Sequence, residues 1–334
     1  MPDMMPHARI IGTGSSTPKR ILSNKDLESI VDTTDEWITR RTGIKERRIS
    51  SKREKENTTD LATQASLKAI EMAGISPESL DMIVVGTVTS DRQFPSTACM
   101  VQKALNADNA TAFDVSAGCS GFLYALTVVH NAIRCQTCGT ALVIGVERLS
   151  AILNWHDRST CVLLGDGAGA VVVASTKEQN GILSTHLKSD GTLWKLLYSS
   201  DGNSYTPEIL QSIDVKPFHL RMEGNRLFKR AVRCLSSIAK EALLHNSLSS
   251  KDIELVIPHQ ANMRIIEGFA KNLRISMERV YTNIRKYGNT SSASIPIALD
   301  EANREGVLSK GAHVLFVSFG AGLTWGASIV RWVI

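Results

Sequence analysis

The sequence has few aromatic side chains and no long hydrophobic run. Aromatic residues make up 5% of the 334 residues, against 43% for all hydrophobic types, so the core must be mainly aliphatic. The longest apolar stretches, such as Ala141–Val146 and Ala168–Ala174, have the length of strands and fall short of the roughly 18 residues that a membrane helix needs. The first residues also lack the basic and apolar blocks of a secretory signal. We therefore expect a cytoplasmic protein without a membrane partner.

Neither sign of charge dominates, and no disulfide or metal framework is evident. The chain has 38 Lys and Arg against 33 Asp and Glu, a net charge of +5, which suits an anionic substrate or an acidic partner but does not predict nucleic-acid binding. Six cysteines in a long chain without a signal indicate free thiols. The one close pair, Cys135 and Cys138, has no second pair or suitably spaced histidine, so we expect no metal.

Pairs of predicted elements recur in the same order. Helical spacing of apolar residues followed by a short apolar run predicts helix–strand pairs in the first half, at 61–73 with 82–86 and at 122–133 with 141–145. The second half repeats the pattern at 228–243 with 253–257 and at 295–302 with 313–317. Each half then ends on a glycine-rich hairpin, Gly165–Gly169 in one and Gly320–Gly326 in the other.

The spacing between equivalent points supports a duplication. The first strand ends of the two halves lie 259 − 87 = 172 residues apart, and the helix starts lie 288 − 118 = 170 residues apart. Repeated strand–helix–strand units predict an α/β fold of duplicated halves with mostly parallel sheets. We assign residues 1–177 to the first half and 178–334 to the second. The segment at about 181–226 breaks the repeat and is expected to be an inserted loop.

The equivalent loops of the two halves carry different functional groups. Cys119 stands where a strand turns into a helix between two glycines, and the helix N-terminus is expected to lower the pKa of its thiol, although a free cysteine is commonly a small core residue. His259 ends an apolar strand, where α/β proteins place functional groups. Asn289 is a candidate for a functional amide or for a helix cap. Because divergent duplicates usually bring matching loops together, we predict one site containing all three residues.

The glycine-rich hairpins do not match nucleotide-binding motifs. A dinucleotide fingerprint follows a strand and opens a helix, whereas Gly165–Gly169 precedes a strand. The sequence contains no phosphate-binding lysine motif either, so no nucleotide cofactor is expected. Gly320–Gly326 predicts a tight turn whose amides could face a reacting carbonyl oxygen.

Several segments together resemble the β-ketoacyl-[acyl-carrier-protein] synthase III family. They are Asp114–Phe122, Pro258–Asn262, Tyr287–Ser292 and Phe319–Gly326, with Thr34–Ile44 and Leu164–Ala170 in addition. The motifs occur in the family's order and span nearly the whole chain. The resemblance implies the thiolase fold, in which two pseudo-symmetric halves form five layers, α-β-α-β-α, and the protein is a homodimer.

The same resemblance implies a condensing enzyme that initiates type II fatty-acid synthesis. Cys119 would take the acyl group of a short acyl-CoA, with acetyl-CoA expected, and malonyl-[acyl carrier protein] (malonyl-ACP) would then lose CO2 and attack the acyl-enzyme to give a 3-oxoacyl-ACP. His259 Nε2 and the Asn289 amide would stabilise the enolate, and the main-chain N–H groups of Cys119 and Ala321 would form the oxyanion hole. No metal or other cofactor is implied, because CoA and ACP carry the substrates.

Further positions are carried over from the family. Trp37, Arg41 and Arg158 match residues that hold the adenine and phosphates of CoA, and Phe94 matches a residue that reaches across the dimer to the partner's acyl pocket. The docking surface for the acidic carrier protein is matched by a further set: Gln260, Ala261, Asn262, Met263 and Arg264, with Lys229, Arg230 and Arg233 on a neighbouring helix. A basic surface speeds the encounter with such a partner, although single arginines and basic helix faces are commonly only solvated.

Other functions compete with this hypothesis. A synthase of secondary metabolism with the same triad and another acyl starter stays open, as do the length and branching of the acyl group. A catalytically silent CoA- or acyl-binding protein is disfavoured because Cys119, His259 and Asn289 are all retained. A degradative thiolase would carry a second cysteine near Gly320–Gly326, and a chain-elongating synthase would carry a second histidine at position 289. The sequence has neither.

Overall fold

The structure, a computed structural model, describes residues 5–199 and 219–334. The strands are β1 (His7–Ser16), β2 (Ile21–Ser23), β3 (Glu46–Arg48), β4 (Met82–Gly86), β5 (Thr111–Val115), β6 (Thr140–Arg148), β7 (Asp166–Thr176), β8 (Gly181–Ser189), β9 (Leu197–Ser199), β10 (Leu220–Met222), β11 (Leu255–Pro258), β12 (His313–Gly320) and β13 (Thr324–Arg331). The helices are α1 (Asn24–Leu27), α2 (Asp35–Thr42), α3 (Thr58–Ala73), α4 (Thr97–Leu105), α5 (Gly121–Arg134), α6 (Gly224–His245), α7 (Met263–Leu273), α8 (Ile284–Tyr287) and α9 (Ser294–Arg304). No helix within these two ranges is both long and apolar enough to cross a lipid bilayer.

Two sheets with the same strand order organise the chain. In the first, the order is β1-β7-β6-β4-β5, with β4 parallel to β5 and β6 and with β7 antiparallel to β1 and β6. In the second, the order is β8-β13-β12-β11, with β11 parallel to β12 and with β13 antiparallel to β12 and β8. A parallel bridge from Val256 to Val280 lies at the edge where the first sheet has β5. This matching topology confirms the predicted duplication of α/β halves.

The prediction of an inserted loop is wrong at both of its ends. Residues 181–189 form β8, which is hydrogen-bonded to β13, and residues 224–226 begin α6. β8 starts 181 − 7 = 174 residues after β1, close to the spacing of the other equivalent elements, so it is the first strand of the second half. The insertion is left with residues 190–223, of which 200–218 lie outside the described residues. The boundary predicted at 177 falls between β7 and β8 and stays a prediction.

Alternating side chains along the strands build the apolar interfaces between layers. On the outer face of the first sheet, Ile83 and Val85 pack against α3 and α4. On its inner face, Val84 packs in a cluster with α5, α9 and the inner residue Phe316 of the second sheet. The outer face of the second sheet, which includes Val317, packs against α6 and α7. Period-two alternation therefore produces five layers in the order α-β-α-β-α, as predicted, with α5 and α9 in the middle.

α5 and the turn before α9 lie against the backbone of the first sheet because two strand positions are glycine. A side chain on Gly86 of β4 would bring its Cβ to less than 3.0 Å from the backbone of Gly121, the first residue of α5. A side chain on Gly145 of β6 would come equally close to the carbonyl group of Ser292. Both glycines lie toward the carboxyl ends of their strands. The loops before α5 and α9 are therefore held at the same edge of the sheet.

We predict that Gly86→Ala lowers the free energy of unfolding by at least about 2 kcal/mol, because the methyl group overpacks a contact between two backbones that cannot move aside. Urea denaturation measures the change. Gly191→Ala is the matched control, since a Cβ there meets nothing within 4 Å and should change the stability by less than about 0.5 kcal/mol. Equal stability of Gly86→Ala and the wild type would show that the position of α5 does not depend on this close approach.

Candidate active site

One cleft at the carboxyl ends of the strands contains the three side chains predicted to be catalytic. Cys119, His259 and Asn289 line it together with Ser291 and Ala321. Most of its wall is apolar and includes Leu149, Leu163, Leu227, Phe228, Leu235 and Phe319. Across the described ranges, no three His, Cys, Asp or Glu side chains converge in a way that could hold a metal ion. The first half supplies the cysteine and the second half supplies the histidine and the asparagine, so the site needs both halves.

The turn that carries Cys119 is fixed by hydrogen bonds from the second half. Cys119 lies in the 3₁₀ turn Gly118–Ser120, directly before α5, and the glycine that opens this turn has a φ of 54°, a value that favours glycine. The hydroxyl of Ser318 donates to the carbonyl oxygen of Cys119 at 2.8 Å. The hydroxyl of Thr324 donates to the carbonyl oxygen of Ala117 at 2.7 Å. The hairpin of β12 and β13 therefore sets the position of the candidate nucleophile.

The turn after β12 brings the main chain of Ala321 against that of Cys119. The approach is close because neither Gly118 nor Gly320 has a side chain. A Cβ on Gly118 would lie 2.8 Å from the nitrogen of Ala321, and a Cβ on Gly320 would lie 2.5 Å from the nitrogen of Cys119. In this turn only Gly322 has a positive φ, 135°. Ala321 does not have a positive φ, so alanine is compatible with this position. The two N–H groups predicted to form the oxyanion hole thus lie on adjoining turns.

Burial raises the pKa of the Cys119 thiol by more than the nearby hydrogen-bond donors lower it. Desolvation raises the pKa of this thiol to about 11, and the charge of Glu147 acts in the same direction. A hydrogen bond from the Ser291 hydroxyl and one from the backbone N–H of Cys119 lower the pKa. The prediction of a lowered pKa is therefore wrong for this structure, because removal of the sulfur from water outweighs the groups at the helix N-terminus. The thiol keeps its proton at neutral pH.

His259 is a buried, neutral imidazole with one ring nitrogen already bonded. It follows β11, its backbone N–H donates to the carbonyl oxygen of Val317 at 2.8 Å, and only 5% of the residue is exposed. Nδ1 lies 2.7 Å from the hydroxyl oxygen of Ser294, the first residue of α9. Burial lowers the pKa of the imidazole to about 3, so the ring is uncharged at neutral pH. Nε2 is the nitrogen left for chemistry in the cleft.

The side-chain amide of Asn289 has a fixed orientation. Its backbone forms a parallel bridge with Leu164 of the first half, and its Oδ1 accepts the backbone N–H of Ser291 at 2.8 Å. A backbone N–H can only donate, so the amide oxygen must face it, and Nδ2 with its two protons is left for the cleft. Asn289 is not the helix cap that the sequence offers as an alternative, because Thr290 and Ala293 occupy the N-cap positions of the next turn and of α9. Its bond to Ser291 is a local turn bond, and this bond orients the amide as a donor.

A buried carboxyl group lies behind the cleft, and the sequence motifs that predict the site do not include it. Glu147, near the end of β6, is fully buried. It accepts hydrogen bonds from the hydroxyl of Thr89 and from the backbone N–H of Val88, both in the loop after β4. The hydroxyl oxygens of Ser291 and Ser292, in the turn before α9, lie 3.3 and 3.2 Å from the same carboxyl group. The carboxyl group thus joins the two halves, and an acidic residue in an otherwise apolar strand is the only sequence signal for it.

The predicted CoA-binding residues meet in a neighbouring cleft. The guanidinium carbons of Arg41 and Arg158 lie 4.9 and 5.2 Å from the ring centre of Trp37, which is within the range of a cation–π interaction. All three residues line this second cleft, and Phe228 lines both it and the cleft of Cys119. An aromatic ring and two cations therefore stand beside the path to the candidate nucleophile.

Phe94 lies on the surface of the chain. It is 81% exposed, in the connection between β4 and α4, and it is not among the residues that line either cleft of its own chain. A single exposed aromatic side chain does not by itself mark a binding surface, since that conclusion needs a contiguous apolar patch. The role of Phe94 in the acyl pocket of a second subunit stays a prediction.

The predicted carrier-docking residues differ in exposure. Lys229 and Arg264 are exposed and line the cleft of Trp37. The three residues between 260 and 264 are partly exposed: Ala261, Asn262 and Met263. Two basic side chains are therefore available to an acidic partner beside the entrance, and they share this surface with the predicted CoA site.

Gln260 is not on the surface, which corrects its place in the predicted docking set. It is only 1% exposed. Its amide nitrogen donates to the carbonyl oxygens of Pro258 and Tyr281, and its amide oxygen accepts the backbone N–H groups of Asn283 and Ile284. The side chain satisfies its hydrogen bonds inside the protein and holds the loop after β11 to the segment before α8. It cannot reach a docked protein.

Two family models match the chain. The model described as 3-oxoacyl-[acyl-carrier-protein (ACP)] synthase III matches residues 113–191. The model described as 3-oxoacyl-[acyl-carrier-protein (ACP)] synthase III C terminal matches residues 243–332. The first range contains Cys119 and the second contains His259 and Asn289.

Known relatives match over nearly the full length. The β-ketoacyl-[acyl-carrier-protein] synthase III of Caldanaerobacter subterraneus subsp. tengcongensis is 52% identical over 97% of this chain and 98% of the relative. The crystal structure of 3-oxoacyl-[acyl-carrier-protein] synthase III from Aquifex aeolicus has 48% identity and a TM-score of 0.91, with 97% of this chain and 100% of that chain covered. The priming β-ketosynthase from the R1128 polyketide biosynthetic pathway has 35% identity and a TM-score of 0.92, with 98% and 96% covered.

The duplicated sheets and these structural neighbours define the protein as a condensing enzyme of the thiolase fold. Its sequence matches the family models in both halves and its relatives from end to end. The chain belongs to the β-ketoacyl-[acyl-carrier-protein] synthase III family. It is therefore an acyltransferase that initiates fatty acid synthesis.

Glu147→Gln is predicted to change how the stability depends on pH. Burial raises the pKa of this carboxyl group from 4.5 to about 7. The folded protein therefore binds more protons than the unfolded chain between these two values, and the free energy of unfolding falls as the pH rises through them. Between these two pH values the wild type is expected to lose about 3 kcal/mol of its free energy of unfolding. The glutamine variant should not show this loss, because its side chain does not titrate. Urea denaturation of both proteins across this pH range measures it, and parallel pH profiles would contradict the prediction.

Proposed function

We propose that this enzyme transfers the acyl group of acetyl-CoA to Cys119 and condenses it with malonyl-ACP, with release of CoA and CO2, to give a 3-oxoacyl-ACP. The observation that carries the proposal is the convergence of Cys119, His259 and Asn289, from both halves, in one largely apolar cleft. A nucleophilic sulfur and two neutral hydrogen-bond donors suit acyl transfer followed by the formation of an enolate. The two thioesters are the substrates, and the proposal includes no metal or other cofactor.

In the first half-reaction, the sulfur of Cys119 bonds to the carbonyl carbon of the acyl-CoA, and the bond from that carbon to the CoA sulfur breaks. The thiol proton leaves with CoA, so one thioester and one thiol are present before and after. The N–H groups of Cys119 and Ala321 stabilise the charge that develops on the carbonyl oxygen, a role that their adjoining turns support. The hydrogen bond from Ser291 favours the thiolate during the attack.

In the second half-reaction, malonyl-ACP loses CO2, and the electron pair of the broken C–C bond becomes an enolate of the thioester. Nε2 of His259 and Nδ2 of Asn289 donate hydrogen bonds to the enolate oxygen. The pKa of about 3 for His259 supports a donor that stays neutral and not an acid that transfers its proton. The enolate carbon attacks the acyl carbonyl carbon, the bond to the sulfur of Cys119 breaks, and the sulfur takes up one proton.

CoA binding and dimerisation are assigned to exposed aromatic and cationic groups. The ring of Trp37, with Arg41 and Arg158 beside it, offers a stacking surface for adenine and two cations for phosphates. Phe94, a highly exposed aromatic side chain, is proposed to enter the acyl pocket of a second subunit in a homodimer.

A second candidate function is the priming step of a secondary pathway with another acyl starter. It is favoured by the similarity to the priming β-ketosynthase of the R1128 polyketide pathway. Intact-mass spectrometry after incubation with acyl-CoAs of different length and branching distinguishes the two functions. Efficient acetylation of Cys119 supports the first, and poor acetylation beside efficient transfer of a different acyl group supports the second.

Asn289→Ala is predicted to separate the two half-reactions. The variant should still accept an acetyl group on Cys119, because the amide is not part of the nucleophile. The release of CO2 from malonyl-ACP should fall about 10²–10³-fold, since one preorganised donor is lost. Intact-mass spectrometry and radiolabelled CO2 release measure the two steps, with Cys119→Ala as the control that cannot be acylated. Wild-type CO2 release by Asn289→Ala would leave this residue with only its turn bond to Ser291.

Arg233→Glu is predicted to weaken the docking of the carrier protein without affecting acylation. Arg233 and Lys240 lie exposed on α6, outside the cleft that Trp37 and Arg264 line. Reversal of the charge should raise the apparent KM for malonyl-ACP, because the acidic partner loses an attractive surface. The effect should shrink as salt is added, since exposed charges are screened. Acetyl transfer from acetyl-CoA should be unchanged.

Two further charge reversals serve as references for this experiment. Arg264→Glu changes a residue of the shared cleft and should impair both half-reactions. Lys310→Glu makes the same change at an exposed position before β12, at the opposite end of the second sheet, and should impair neither. An equal loss of both half-reactions in Arg233→Glu would contradict a surface that meets only the carrier protein.

A further inference from the structure

Ser294 holds the ring nitrogen of His259 that is not available to the cleft. Its hydroxyl oxygen lies 2.7 Å from Nδ1 of His259 and accepts the backbone N–H of Gln260 at 3.3 Å. Both side chains are buried, with 2% of Ser294 and 5% of His259 exposed. Because Ser294 is the first residue of α9, the helix in the middle of the fold fixes the position of its hydroxyl.

The donors and acceptors around Ser294 decide where the imidazole carries its proton. A hydroxyl has one proton to donate and two lone pairs. One lone pair accepts the N–H of Gln260, and within residues 5–199 and 219–334 the only hydrogen-bond acceptor found for the hydroxyl proton is Nδ1 of His259. If Nδ1 carried the proton, the buried hydroxyl would donate to no described residue, which is unfavourable in a protein interior. The hydroxyl therefore donates to Nδ1.

We propose that Ser294 is a positioning residue that fixes His259 as the tautomer protonated on Nε2. With Nδ1 occupied as an acceptor, Nε2–H faces the cleft as a hydrogen-bond donor and cannot take the proton of the Cys119 thiol. His259 then stabilises the enolate oxygen and does not act as the base for Cys119. This catalytic consequence rests on the proposed function, whereas the tautomer itself does not.

The choice of tautomer matters because the ring is uncharged. A protonated imidazole donates from both nitrogens and needs no selection. Burial keeps the pKa of His259 far below neutral pH, so only one ring nitrogen carries a proton at any time. The hydrogen-bond partner of Nδ1 then decides whether Nε2 faces the cleft as a donor or as an acceptor.

NMR of the protein labelled with ¹⁵N-histidine tests the tautomer directly, because protonated and unprotonated ring nitrogens have different chemical shifts. His259→Ala identifies the signals of His259 among those of the eight histidines. The wild type is expected to show a protonated Nε2 and an unprotonated Nδ1. A protonated Nδ1 would overturn the proposal whatever the activity. Absence of CO2 release from malonyl-ACP by the wild type would instead refute the proposed function and leave the tautomer result standing.

Variants extend the test to the half-reactions. Ser294→Ala is expected to give His259 a mixture of tautomers and to lower CO2 release from malonyl-ACP by about 10–100-fold, comparable to the loss of groups that orient metal-bound histidines, with a smaller effect on acetyl transfer to Cys119. Ser294→Thr keeps the hydroxyl and should restore both the tautomer and the release. Ser66→Ala removes another buried hydroxyl, on α3, and should change neither. Unchanged tautomer and CO2 release in Ser294→Ala would overturn the proposal.

Discussion

Close backbone-to-backbone contact is the constraint on which the site depends. Glycines without a Cβ permit it within the first half at Gly86 and between the two halves at Gly118, Gly145 and Gly320. The two glycines on the first sheet let α5 and the turn before α9 approach their strands, and the other two let the turns of Cys119 and Ala321 approach each other. Duplication brings matching loops to the same edge, but side chains at these positions would keep the loops apart. A site shared by the two halves therefore requires both the duplicated fold and glycine at these positions.

The site is built from groups that carry no charge at neutral pH. The thiol of Cys119 is protonated, the imidazole of His259 is neutral and the amide of Asn289 does not titrate near neutral pH. The carboxyl group of Glu147 lies behind the cleft and differs from these three groups, because burial raises its pKa to about 7 and it therefore titrates near neutral pH. In the proposed reaction, negative charge would arise mainly on the substrate, where fixed hydrogen-bond donors would stabilise it.

Local patterns and the family resemblance predict the fold and the functional loops, and contacts between distant residues account for what they miss. Apolar periodicity and glycine-bracketed turns single out Cys119, His259 and Asn289 as well as most of the repeat. Gln260 is bonded to residues 23 and 24 positions away, and Ser294 to one 35 positions away. No spacing rule shows such contacts, and the family resemblance alone puts Gln260 in the predicted docking surface. The pKa of Cys119 is mispredicted for the same reason, since desolvation depends on residues from both halves.

A Cys119 thiol that keeps its proton is expected to react slowly with oxidants. Peroxides and alkylating compounds react with thiolates and hardly at all with thiols. With a pKa of about 11, on the order of one Cys119 side chain in ten thousand is ionised at pH 7. Conversion to a sulfenic acid should be slow under these conditions, although Cys119 as a residue is partly exposed. The burial that raises the pKa of this thiol is therefore expected to slow its oxidation as well.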